Sequence, residues 1–410
     1  MIIEFALPIL ILTAIAGLIM AWGIGANDVA NAMGTSVGSG AITLSTAILI
    51  ACIFEFSGAF LAGGEVTSTV RKGILDPLLF EGNPDLFVFG MISALLAAGT
   101  WLVIATYFGW PVSTTHTIVG GIVGFGVLSL SISAIDWNTM SEIATSWVLS
   151  PLISGSISFI IYLSIDKLIL KNQNPILMAQ RYGPIYLFFV AFIVSMVTFT
   201  KGLKHIGLGI DFNDSLIYSF LFGLFVTFLG FVFLSRLRNS SIDQIFGILM
   251  VFTACVMAFA HGSNDTANAV GPVAAVFSTV LNEGVSKEAA VSAWLLLGGG
   301  VGIVLGLAMW GYRVIQTIGK EITKLTPTSG FAAELAAATT VVIASGNAMP
   351  ISTTHTLVGA VFGVGLAMSA KDLDFKVIGK IIASWLTTVP AGAILSCLLY
   401  TSPSPRDTLL

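Results

Sequence analysis

The chain has 410 residues, of which 56% are hydrophobic and only 9% are charged. Soluble domains carry about 25% charged residues, so this deficit excludes a soluble globular protein and points to a polytopic membrane protein. The net charge of −4 and the lack of any basic run exclude nucleic acid as a partner.

A membrane span needs about 20 mostly apolar residues. Twelve candidates lie near 5–22, 41–62, 87–108, 112–131, 143–166, 184–200, 215–235, 246–262, 289–311, 331–346, 352–370 and 378–400. Several contain Gly, Ser or Thr interruptions, which predicts broken or re-entrant segments. The first run follows Glu4, has no basic n-region, and leads directly into Gly23–Gly40, GIGANDVANAMGTSVGSG. It is therefore read as a retained span, not a cleaved signal peptide. Asn27, Asp28 and Asn31 stand in this block among small residues. Glu55 follows inside the second span. Next comes Pro111–Gly120, PVSTTHTIVG, and then TSWVL at 145–149.

The second part of the chain repeats this order. AHGSNDTANAVGP at 260–272 places Asn264, Asp265 and Asn268 as before, at an offset of 237 (265 − 28). PISTTHTLVG at 350–359 and ASWLT at 383–387 match at offsets of 239 and 238. Such steady offsets indicate a duplication, with repeats at 5–166 and 246–400 and two linking spans within 167–245. Span one matches span eight. Seven crossings separate them, an odd number, so the second repeat is inverted. Inverted repeats place a substrate site near the bilayer midplane between discontinuous helices. The expected fold class is an all-α polytopic membrane protein with two inverted repeats. The loops that would be cytoplasmic hold eleven Lys and Arg and the others six, which favours both termini outside. The polar stretch 401–410 reads as a tag or cloning scar.

The chemistry lies in the repeated blocks. Pro111 suits a first helical turn, so Ser113, Thr114 and Thr115 are expected in that turn. Free backbone N–H groups there, with the positive end of the dipole, form an anion site. Ser352, Thr353 and Thr354 would face it from the inverted repeat. The bland alternative is that these hydroxyls only cap their own helices. In NDVANA and NDTANA, carboxylates and carboxamides among Ala and Gly offer oxygens to a hard cation. Unwound backbone of the kind found in broken helices would add carbonyls. The sodium ligands expected are Asn27, Asp28, Asn31, Asn264, Asp265 and Asn268; the alternative is an Asn/Asp loop at the membrane surface.

None of the four motif stretches contains Lys or Arg. An oxyanion arriving there meets Asp28 and Asp265. At 4 Å each like-charge pair costs about 4 kcal/mol for an effective dielectric near 20. A cation must accompany the substrate, either sodium or a proton, and the many neutral oxygens favour sodium. Phosphate near pH 7 keeps a hydroxyl hydrogen that a carboxylate can accept, whereas sulfate has none. This favours phosphate if Asp28 or Asp265 touches the anion. Glu55 and Glu334 have no glutamate counterpart in the other repeat and are assigned to coupling or gating, against a hydrogen bond between helices. His116, His261 and His355 adjoin the motifs and suit packing or orientation better than proton transfer. Cys52, Cys255 and Cys397 fall inside spans without metal-ligand spacing and read as small apolar residues.

GANDVANAMGTSVGS, HGSNDTANAVGP, PVSTTHT, PISTTHT and GYRVIQTIGKEITKLTPTSGFAAEL together resemble the inorganic phosphate transporter (PiT) family over nearly the whole chain. The resemblance implies a sodium- or proton-coupled phosphate symporter with twelve spans and inverted repeats, and it implies that Glu55 and Glu334 matter for transport. The short segment 236–246, in place of a long cytoplasmic insert, suggests a bacterial or archaeal inner membrane. The expectation is a secondary-active carrier of inorganic phosphate, with sodium ions as cargo, no other cofactor, and a homo-oligomer left open. A proton-coupled phosphate or sulfate permease, an intramembrane hydrolase using Asp28 and Asp265, and a passive channel are the rivals. The hydrolase is disfavoured because equivalent surroundings would not separate two pKa values.

Overall fold

The computed structural model describes residues 4–202, 207, 210–237, 240–286, 291–321, 324–369, 373 and 375–401. Of the loop cations counted above, Lys204, Arg238, Lys287, Lys371 and Arg406 lie outside these residues, as does the tail from Ser402. The described residues form thirteen α-helices and no sheet. They are α1 (Ala6–Gly38), α2 (Leu44–Ala62), α3 (Gly64–Lys72), α4 (Pro84–Tyr107), α5 (Thr114–Ser129), α6 (Trp137–Ile165), α7 (Pro175–Thr200), α8 (Phe212–Leu234), α9 (Ile242–Leu281), α10 (Ala293–Glu321), α11 (Pro327–Gly346), α12 (Thr353–Met368) and α13 (Phe375–Tyr400).

Ten helices are long and apolar enough to cross a membrane, while α5 and α12 are shorter. At 16 residues each, α5 and α12 extend only about 24 Å. A hydrocarbon core is about 30 Å thick. Their starts at Thr114 and Thr353 therefore belong inside the membrane, and these are the interrupted segments.

Two expectations need correction. The NDVANA and NDTANA blocks do not unwind. They lie within α1 and α9, continuous helices of 33 and 40 residues. Ala and Gly let neighbouring helices approach closely without breaking the ladder, so side-chain oxygens are offered there rather than backbone carbonyls. Pro111 also stands outside the first helical turn. Ser113 and Ser352 are the N-caps, with Thr114 and Thr353 opening the helices.

Small residues fix the packing. A Cβ on Gly25 of α1 would stand 1.9 Å from Ile303 O of α10, and one on Gly306 of α10 would stand 1.8 Å from Trp22 O of α1. The same reciprocal crossing joins α9 to α2: Gly262 meets Glu55 O at 2.0–2.1 Å separations shared with Gly58, which meets Phe259 O. Gly359 and Gly363 likewise bring α12 onto α6, and Gly120 and Gly124 bring α5 onto α13. Helices of the first repeat thus pack on helices of the second, and the two are intertwined rather than separate lobes.

Contacts at the helix ends give relative direction. Thr69 at the end of α3 donates to Ala348 O just beyond α11. The segment after α3 leads into the start of α4, and Leu75 there bridges to Ile135 ahead of α6. The far end of α4, at Tyr107 O, accepts instead from Arg313 on α10. So α11 ends on the side where α4 begins. These two helices occupy equivalent places in the repeat, yet they run in opposite directions.

Candidate functional site

The starts of α5 and α12 meet the middles of α1 and α9 in a wholly buried polar centre. Its hydrogen bonds come in matched pairs. Thr114 Oγ1 donates to Asp28 Oδ2 at 2.6 Å, and Thr353 Oγ1 to Asp265 Oδ2 at 2.9 Å. The carboxamides reach across the repeats. Asn31 Nδ2 donates to Thr354 Oγ1 at 2.8 Å and Thr353 Oγ1 at 3.2 Å. Asn268 Nδ2 donates to Thr115 Oγ1 at 3.1 Å and Thr114 Oγ1 at 3.3 Å. Thr115 donates in turn to Ile351 O, and Thr354 to Val112 O.

Asn27 and Asn264 hold the extended approaches to the two short helices. Asn27 Nδ2 donates to Thr106 Oγ1 and Trp110 O, and Asn264 Nδ2 to Ser345 Oγ and Met349 O. Asn27 Oδ1 also accepts from the Val112 N–H. These contacts explain why Thr106 and Ser345 are buried within apolar helices. Neither stood out in the sequence, because a single hydroxyl in a span is common; only their shared offset could have marked them.

Ser113 and Ser352 accept from the His116 and His355 backbone N–H groups at 3.3 and 3.2 Å. An N-cap hydroxyl that accepts in this way keeps its hydrogen for another acceptor. The four threonines, by contrast, already donate inside the protein. Of the six hydroxyls, the two serines are therefore the uncommitted donors, beside the open N–H groups of two helix starts.

Several buried acceptors have no donor among the described residues: Asp28 Oδ1, Asp265 Oδ1, Asn264 Oδ1 and Asn268 Oδ1. Buried acceptors without partners are costly, and a hard cation is the complement that carboxylate and carboxamide oxygens select. Asp28, His261 and Asp265 each bring one ligand atom within 4.8 Å of the others.

His261 extends the centre on one side only. Its Nε2 lies 3.0 Å from Asp265 Oδ2 and its Nδ1 3.3 Å from Glu55 Oε1, all buried. Both approaches are close enough for an ion pair but are not aligned as hydrogen bonds. Glu55 therefore reaches the site through His261, a link that the sequence reading missed although His261 and Asp265 are four apart on one helix face. Glu334 forms its own buried cluster, accepting from Thr253 at 2.6 Å, Ser36 at 2.8 Å and Thr35 at 2.9 Å. His116 and His355 stack edge to face at 4.4 Å between Trp147 and Trp385, away from the carboxylates.

The chain matches the model of the phosphate transporter family over residues 24–396. It is 48% identical over 402 residues to a Haemophilus influenzae protein named as a phosphate permease, covering 95% of both chains. It is 44% identical to the chloroplastic inorganic phosphate transporter 2-1 of Arabidopsis thaliana, covering 95% of this chain and 71% of that protein. A solved structure described as the sodium-dependent phosphate transporter superposes with a TM-score of 0.92 at 38% identity, covering 98% of this chain and all of that one.

Proposed function

The chain belongs to the phosphate transporter family, a family of transporters rather than enzymes, and from that premise we propose that it carries inorganic phosphate together with sodium ions by alternating access. The observation that carries this reading is the juxtaposition of donor-less buried oxygens with two opposed helix starts. The oxygens of Asp28, Asp265, Asn264 and Asn268 suit sodium. The N–H groups and the Ser113 and Ser352 hydroxyls suit a tetrahedral oxyanion. Without a basic side chain in these motifs, neither ligand binds well alone, because the anion needs the cation to offset the two carboxylates.

In the proposed cycle the extended segments around Trp110 and Met349 open in turn, while Asn27 and Asn264 hold whichever one is shut. The setting is the inner membrane of a bacterium or archaeon, with both termini outside. A proton-coupled phosphate or sulfate permease is the second reading. The observation that favours it is His261, standing between Glu55 and Asp265.

Linkage supplies the test. Sodium should tighten phosphate binding, and phosphate should tighten sodium binding by the same factor. Titration calorimetry on the detergent-purified protein measures both. Phosphate affinity independent of sodium overturns the sodium scheme, and uptake that survives full sodium replacement in proteoliposomes selects the second reading.

A further inference from the structure

A cavity of about 300 Å³ opens beside the buried centre, between α3, α6 and the segment that follows α11. Its walls carry Ser68, Thr69 and Lys72 from α3, Thr139 and Glu142 from α6, and Asn347. Lys72 is exposed and makes no ion pair with any described residue.

The floor of this cavity is Asn347–Pro350. The Met349 N–H donates to Ala344 O and the Ala348 N–H to Ser345 O, a helix end of the Schellman type. Ala348 occupies the left-handed region at φ 56°, where its equivalent, Gly109, has φ 69°. A side chain is strained there, and the strained residue is pinned by Thr69 through its carbonyl at 2.7 Å. One peptide further on, Met349 O accepts from Asn264. A single stretch of backbone thus separates the cavity from the centre that holds Asp265.

We propose that this cavity is a capture site for free inorganic phosphate, with Lys72 as its cation, Ser68, Thr69 and Thr139 as hydroxyl donors, and Asn347–Pro350 as the gate to the buried centre. This assignment rests on the transport reading. A cation belongs at the mouth because the motifs of the inner site hold no lysine or arginine. Lys72 raises the local anion concentration, and the exchange to an inner site without lysine or arginine then waits for a cation to enter. Placing the lysine outside the inner site also avoids trapping the anion there. The loop-charge count puts Lys72 on the outer face, where substrate arrives. Glu142 shares the cavity and opposes capture.

The test is initial-rate uptake of radiolabelled phosphate into vesicles of phosphatidylcholine alone, with an inward sodium gradient. Lys72→Gln should raise the phosphate KM about 1.4- to fivefold, the range for one exposed ion pair, with an unchanged maximal rate. Lys72→Arg should restore the wild-type KM, and Glu142→Gln should lower it. High ionic strength should bring the wild type toward the Lys72→Gln value. A Lys72→Gln variant with wild-type KM overturns the capture site while leaving the transport reading intact. An effect that emerges only when phosphatidylglycerol is added assigns the phosphate group to a lipid headgroup and also overturns it. A wild type that takes up no phosphate removes the transport reading and this site with it.

Discussion

The molecule contains two helix crossings built on the same plan and filled with opposite chemistry. At α9 and α2, the glycine pair Gly262 and Gly58 brings His261 against Glu55. At α1 and α10, the pair Gly25 and Gly306 frames the equivalent positions, which are Ile24 and Ile303, both fully buried. The Glu334 cluster shows the same one-sidedness. The places equivalent to Glu334, Thr35, Ser36 and Thr253 hold Leu95, Pro272, Val273 and Ala16, all buried. In the centre between them the bonds from the carboxamide nitrogens and the threonine hydroxyls are paired across the repeats, while Asn27 Oδ1 accepts from Val112 N–H and Asn264 Oδ1 has no donor among the described residues. A ligand held between two opposed helix starts demands the same donors from each side. The surrounding crossings have no such demand. In the proposed cycle, opening to one face and to the other would be equal in energy if the repeats were identical. The polar crossing and the Glu334 cluster are both places where that equality is broken, so in this cycle each biases which state is favoured.

The largest expected effect comes from erasing the difference. His261→Ile or Glu55→Ile alone leaves one buried polar partner stranded, a loss of about 3–5 kcal/mol for a buried pair. The combined His261→Ile and Glu55→Ile variant copies the first crossing into the second and should regain most of the lost thermal stability in detergent. It should not regain uptake, which should stay at least about tenfold below wild type if the pair forms a charge-assisted contact during the cycle. A double variant that is stable and transports normally would reduce the polar crossing to packing.

The aspartates sharpen the comparison at the site itself. Asp28→Asn and Asp265→Asn keep the shape and one oxygen while removing a charge. Both should raise the sodium concentration for half-maximal uptake, and discrimination between phosphate and sulfate should change little. Asp265 faces His261 and Asp28 has only Ile24 at the equivalent place, so the two effects should differ. Losing one charge-assisted contact of about 1.5–3 kcal/mol predicts roughly a tenfold or greater shift for each, with Asp265→Asn the larger. Sulfate competition that rises while the sodium requirement holds would instead place the carboxylate on the phosphate hydroxyl.

Much of this was legible in the sequence because the repeat displays it. The offset of 237 to 239 marks Asp28 with Asp265 and Ser113 with Ser352. The low charge content and the twelve apolar runs gave the helical membrane class. Pairing across the repeats was not legible. Asn31 and Thr354 lie 323 positions apart, and nothing local says which carboxamide meets which hydroxyl. The continuity of α1 and α9 was also misread, because Gly and Asn within a span suit a break and a close crossing equally well. Only the facing backbone decides between them, as Ile303 O does for Gly25. The link from Glu55 to the site was hidden for the same reason, since His261 joins them from a helix of the other repeat.

The smallest effect asks how far the one-sidedness travels. Asn31 braces Thr353, which holds Asp265, which faces His261. Asn268 braces Thr114, which holds Asp28. The direct bonds are equivalent, two from each carboxamide, so Asn31→Ala and Asn268→Ala should each cost about 1–3 kcal/mol of stability at the usual net value per hydrogen bond. Their coupling to the crossing should differ. Combined with His261→Ile, Asn268→Ala should add independently. Asn31→Ala should deviate from additivity by about 0.5 kcal/mol or more, because Thr353 and Asp265 link it to the close carboxylate–imidazole contact at His261. Thermal unfolding of the two double variants and their parent singles measures this. Equal additivity on both sides would mean that the asymmetry of the crossing does not reach the two carboxamides. Strong coupling through Asn268 would mean that the two carboxylates share a ligand or a proton, and that the paired bonds do not mark two independent halves of the site.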